Sequence, residues 1–225
     1  MPRFLAALAV LCVCVPAVAL AAADTDPKKK LNAADQAKAR SVLLQRTDFA
    51  AGWKKVPNSP ESDEPCPGFN PDNSDLTLTG EGQAEFEHGQ SLASVASYSE
   101  VYVTKADATA SWTRNVKPAI VRCLAHFLRF GIEEEGGSFR VVSQGRIAFP
   151  KLAPRTAAFR LIGRMTVRPP NEEPVTLPVT IHVIALGHGR GDVALLGLGF
   201  GKGIPIADLR AFAKLSATRL AAAKL

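Results

Sequence analysis

The stretch DEPCPGFNPDNSD, residues 63–75, crowds carboxylates and amides around a single cysteine. Oxygen donors at that density suit a hard cation. A calcium loop, however, alternates its ligands, turns on a glycine and ends in a glutamate. Asp72, Asn73 and Asp75 lack that grammar and are expected to form turns beside Pro71 instead. The glycine-rich GLGFGKG, residues 197–203, stands between a strand-like and a helical run, where phosphate loops aim backbone N–H groups at an anion. It lacks the G-x-x-x-x-G-K-[ST] pattern. The G-x-G-x-x-G spacing also fails, with Lys202 or Ile204 in the third glycine's place. Close backbone packing at a strand end is the expected role. The tripeptide RGD at 190–192 falls in the tight turn GHGRGD, where Gly and Asp serve geometry rather than adhesion.

Catalysis needs a nucleophile, a base and an orienting group within reach. GQSLAS, around Ser91, lacks the second glycine of G-x-S-x-G, and there is no H-E-x-x-H. His88, His126, His182 and His188 are scattered without the spacing of zinc ligands. Glu133, Glu134 and Glu135 precede Gly136-Gly137 and read as a solvated turn. No catalytic residue, cofactor or metal ligand is assigned. A secreted hydrolase without a recognisable motif is the alternative reading.

Arginines carry the best functional signal. Four strand-like runs, 138–149, 156–168, 174–186 and 192–200, are joined by short connections and predict an antiparallel meander. Alternate residues of a strand face opposite sides. Odd positions such as Phe139, Val141, Ile147, Phe149, Phe159, Leu161, Met165, Val179 and Ile181 make an apolar face for helices to cover. Even positions gather Arg140, Arg146, Arg160, Arg164, Arg168 and His182, with Thr176 and Thr180. Pairing about the KLAPR turn sets Arg140 near Arg164, and pairing about NEE sets Arg164 near Thr180. Toward the last two strands the even face turns apolar, at Ile184, Leu186, Leu196, Leu198 and Phe200, and a helix there leaves the arginine end open. The planar guanidinium fork suits phosphate, sulfate or carboxylate. The plainer reading is a solvated sheet face that charge keeps from aggregating. Nucleic acid is not an expected partner, because few aromatics lie among the arginines to stack on bases.

The N-terminus gives the setting. Arg3, the apolar run Phe4–Val15 and the small residues Ala19 and Ala21 follow the three-part grammar of a secretory signal. Residues 1–23 are therefore read as a signal peptide, cleaved after Ala21 or Ala23. Pro16 and the small residues argue against a membrane anchor, and no lipobox is present. Removing Arg3 takes the formal charge from +6 to about +5, a moderate basic excess that suits anionic polymers or membrane surfaces. The remaining cysteines, Cys66 and Cys123, would meet an oxidising compartment. Cys123 lies in PAIVRCLAHFLRF beside the apolar face made by Ile120, Leu124, Phe127 and Leu128. A Cys66–Cys123 bond would staple the loop to that helix and contribute on the order of 4 kcal/mol in the chain-entropy picture. The alternatives are two free thiols or an intermolecular link.

The elements that position these residues follow. Residues 24–31 form a flexible charged lead, and 32–225 form one α+β domain. Asn32 caps a first helix, and Phe49 and Trp53 bury after it. Residues 57–82 read as a long Pro/Asp/Asn-rich loop. SLASVASYSEVYV is a strand. A helix capped by Thr104 then runs to Gly131, kinked or restarted at Pro118. A C-terminal helix begins near Pro205 and buries Leu209, Phe212, Ala213 and Leu220. The expected fold is an antiparallel sheet of about five strands, including the four-strand meander, packed by N-terminal, middle and C-terminal helices.

The signal peptide, DFAAGW after the first helix, a cysteine in a Pro-rich loop, a Trp-containing helix with a second cysteine and a closing meander and helix together resemble small secreted actinobacterial proteins. The order is loosely similar to the extracellular sensor-domain family of mycobacterial Ser/Thr kinases and related lipoproteins. The likeness covers residues 32–225. It departs in allowing one disulfide where those domains carry two, and in lacking a kinase and an anchor. It implies a layered α+β fold and a secreted, non-enzymatic binding or sensor-like role in the cell envelope. The arginine face, rather than the likeness, suggests an anionic envelope polymer or a small ligand as partner. No site residue carries over.

Overall fold

The computed structural model describes residues 25–58, 66–89, 92–168, 172–201 and 203–225. The signal-peptide reading falls outside these residues. The class is α+β, with four helices around one eight-stranded sheet. In chain order the elements are β1 (Lys28–Lys29), α1 (Ala33–Val42), a 3-10 turn at Arg46–Asp48, β2 (Trp53–Val56), β3 (Thr77–His88) and β4 (Ala93–Tyr102). Then come α2 (Lys105–Asn115), α3 (Ala119–Glu134), β5 (Ser138–Arg146), β6 (Arg155–Val167), β7 (Val175–His188), β8 (Gly191–Phe200) and α4 (Ile206–Ala222).

The meander forms as expected, in the order β5-β6-β7-β8, and β8 pairs onward with β4 and then β3. The sheet is wider than the five strands expected, because three runs rich in charge or glycine also pair. Lys28–Lys29 run parallel to Thr77–Leu78, and Trp53–Val56 run antiparallel to Glu85–His88. Both cover the outer edge of β3. The third run is β3 itself, whose start was expected to be loop. TLTGEG looked like a turn because of its glycines. Gly80 is there for packing: a Cβ on it would sit 2.4 Å from the Asp35 carbonyl oxygen of α1. The loop therefore ends at Leu76, not at residue 82.

Local signals set the helices. Asn32 and Thr104 each accept a hydrogen bond from the backbone N–H three residues on, Asp35 and Asp107. Pro118 ends one helix and begins another, separating α2 from α3. Gly131 does not stop α3. The chain turns instead at Gly136, at φ +73°, where the Gly136 and Gly137 amides bond back to Glu133 and Ile132. Glu133 and Glu134 are thus the last residues of α3 rather than a turn.

Helices cover both faces of the sheet. On one face α1 and α4 pack Val42, Leu43, Phe212, Ala213 and Leu220 against Phe86, Val95, Ile184 and Leu195. Phe49 joins this core, stacked within 5 Å of Trp53, Phe86 and Phe212. On the other face α3 packs Val121, Leu124 and Ile132 against Phe139, Phe159, Leu161, Met165 and Ile181. The expected stripe of α4 is buried: Leu209, Ala213 and Leu220 are each 0% exposed.

Candidate functional site

Pairing in the meander brings the arginines together on the α1/α4 side of the sheet. Arg140 of β5 lies directly across from Arg164 of β6. Arg164 lies across from Pro178 of β7, and Arg160 lies between Gly145 of β5 and His182 of β7. Arg164 therefore sits two residues from the Thr180 position expected for it, whose partner is Ile162. Arg140, Arg160 and Arg164 are exposed. Among the described residues none of them has a carboxylate partner. Arg168 is exposed one residue beyond β6.

Arg146 does not join them. A bulge between Val141 and Ser143 shifts β5, so that Arg146 pairs with Phe159 and takes the α3 side. The cause is burial at the two ends of one strand. Phe139 and Val141 enter the core under α3, whereas Ile147 and Phe149, just beyond β5, pack into the core under α1 and α4. A strictly alternating strand cannot serve both. Ile147 and Phe149 thus leave the face on which parity alone places them.

His182 marks the inner border of the arginine face. It is 6% exposed, and burial, helped by the Arg160 guanidinium, pushes its pKa down to about 4. Its other cross-strand neighbour is Gly197 of β8. There α4 comes down on the sheet: a Cβ on Gly197 would lie 2.7 Å from Leu209, and one on Gly199 would lie 2.5 Å from Gly203. Gly197 and Gly199 serve this close approach, as expected, whereas Gly201 and Gly203 take positive φ in the turn that leaves β8. The arginines thus stand at the foot of a step formed by α4 and the Gly203–Pro205 loop.

The remaining chemical candidates have structural work. Asp72 accepts bonds from the Ser74 amide and hydroxyl, Asp75 binds Arg114 through both oxygens, and Asn73 bonds Asn115. Both charged residues of RGD are paired internally, Arg190 with Asp35 at 3.0 Å and Asp192 with Arg155 at 2.8 Å. Cys66 and Cys123 form a disulfide, buried with Phe69, Ala119 and Phe127. His126, His182 and His188 donate to or accept from no serine among the described residues. Ser91 lies outside them.

A polar row on the α3 side was not anticipated. Glu100 pairs with Asp192, which pairs with Gly187, which pairs with Arg155. A Cβ on Gly187 would fall 2.4 Å from both Arg155 Nε and Asp192 Oδ1, so this glycine makes room for the ion pair lying over it. Burial pushes Asp192 up to about 7 against the pull of Arg155, and raises Glu100 as well. The Tyr102 hydroxyl lies 2.6 Å from both Glu100 and Ser111, and Arg155 sits over the Trp112 ring at 5.8 Å. Tyr102 and Ser111 are 1% and 3% exposed, so the network is internal. A glycine amid an apolar strand was its one sequence signal. Against known proteins, the chain matches no family model and no curated relative.

Proposed function

We propose that this chain is an exported, non-enzymatic binding or sensor-like domain of the cell envelope, and that its ligand is anionic. One contrast carries the reading. Arg114, Arg155, Arg190 and Arg219 each hold a carboxylate. Arg140, Arg160 and Arg164 converge on an uncovered stretch of sheet and hold none among the described residues. Like charges placed side by side raise the energy of the free protein, and an anion that binds only the folded state relieves it. Export is supported by the N-terminal sequence grammar and is compatible with the disulfide. No described helix is long and apolar enough to cross a membrane.

Heparin affinity at low salt tests the reading. The double variant Arg160→Ala/Arg164→Ala is expected to elute at clearly lower salt than wild type, with unchanged thermal stability. Equal elution would make the face solvated surface and nothing more.

A further inference from the structure

The arginine face is linear rather than round, and this narrows its ligand. Arg160 and Arg164 are four residues apart on one strand, so they share a face about 13 Å apart. Arg140 doubles the charge at Arg164, with the paired Cα atoms about 5 Å apart. Only Gly145 stands beside Arg160 on β5, so no side chain there blocks a ligand passing toward the open β5 edge. On the opposite flank α4 and the Gly203–Pro205 loop rise over Gly197, Gly199 and Thr180. The result is a charged track along β6 with a wall on one side.

Resting on the anion-binding reading above, we propose that the ligand is a flexible linear polyanion that lies along β6. Arg140 and Arg164 grip one anionic group of the chain together, and Arg160 grips another further along it. A free monoanion meets only one of these positions and forgoes the gain from linking the two. A bilayer fits less well. The wall on one flank hinders a flat surface from lying flush along the track, and stable attachment needs buried apolar surface beside the charge. The exposed large apolar residues, Leu31, Val103, Phe130, Val142 and Leu215, include one residue of β5–β7, Val142 in the bulge.

The test uses the full secreted chain with inorganic polyphosphates of graded length, inorganic phosphate, and phosphatidylglycerol vesicles. Affinity is expected to rise at least tenfold from phosphate to a polyphosphate long enough to span both positions, then level off per site. The salt dependence of binding should correspond to about three released counterions, falling by about one for each of Arg140→Gln, Arg160→Gln and Arg164→Gln. Arg160→Lys should retain the length dependence, and Arg46→Gln, away from the face, should change nothing. If phosphate and polyphosphate bind equally well per site and both need the arginines, the face binds anions but the linear polymer is wrong. Vesicle binding stronger than polyphosphate binding overturns the polymer in favour of a membrane surface. If no probe responds to the three substitutions, the anion-binding reading itself falls.

Discussion

Arg190 and Asp35 join the β7–β8 hairpin to the first turn of α1, with the guanidinium nitrogens 3.0 and 3.3 Å from the two carboxylate oxygens. Arg190 also donates to the Tyr102 carbonyl. The Arg190 hydrogen bond holds Asp35 below the usual carboxylate range, at about 2. The sign follows from linkage: a depressed acid stabilises the fold above its unfolded pKa, near 3.8, and loses that contribution as pH falls toward 2. Asp35→Asn is therefore expected to cost about 2 kcal/mol at pH 7, with the difference from wild type vanishing near pH 2. Urea denaturation at several pH values measures it. A pH-independent difference would show that packing, not charge, holds the hairpin.

His182 should act in the opposite region. Its pKa falls from 6.5 to about 4 on folding, through burial and then Arg160. Between these values the unfolded chain binds the extra proton, so stability is full above pH 6.5 and falls as pH drops toward 4. His182→Thr removes this slope, worth about 2–3 kcal/mol over the window. Retention of the slope in the variant would assign it to other groups.

Asp192 works against His182. Its pKa rises to about 7 because burial outweighs Arg155. The folded state holds a proton that the unfolded state has released, so stability declines as pH rises from about 4 to 7. In wild type the two slopes oppose each other across pH 4–6.5. Asp192→Asn keeps an oxygen for Arg155 and removes the titration. It is expected to make the rise of stability from pH 4 to 6.5 steeper than in wild type, with the raised Glu100 left as the acid that still opposes it. A pH profile unchanged from wild type would place the whole titration on Glu100, its cross-strand partner.

Periodicity made the meander and the two-sided burial of the sheet legible, because Phe159, Leu161, Ile181 and Ile184 announce their faces by position. It failed where one residue changes the register. The bulge beside Val142 carries no residue that marks it in the sequence, yet it moves Arg146 to the far face and Ile147 into a different core. It failed again at Gly80 and Gly187. Glycine reads as a turn or a break, whereas here it admits the α1 backbone at one site and an ion pair at the other. Arg140, Arg160 and Arg164 were readable as a group because Arg160 and Arg164 share parity on one strand and the KLAPR pairing sets Arg140 across from Arg164, although the register about NEE is two residues off. The Glu100–Asp192 contact was not, because β4 and β8 are far apart in sequence and pair across the middle of the sheet.

The Cys66–Cys123 bond is the main tie of the loop that enters β3. Its other ties are weaker and include an Asp75–Arg114 pair open to solvent, Arg114 donating to the Asp72 carbonyl, an Asn73–Asn115 contact, Thr25 donating to Asn70 and a bond from the Asn73 amide to the Thr25 carbonyl. Exposed ion pairs contribute little. Cys66 and Cys123 are 4% and 1% exposed and 57 residues apart in sequence, so the bond both closes a long loop and completes a buried cluster with Phe69 and Phe127. Cys66→Ser/Cys123→Ser is expected to lower stability by about 3–4 kcal/mol. Hydrogen exchange should quicken first in residues 66–76 and at the start of α3, while β6–β8 stay protected. Intact mass after alkylation of the purified, unreduced protein gives the direct check. No added label is expected, and two labelled thiols would overturn the staple.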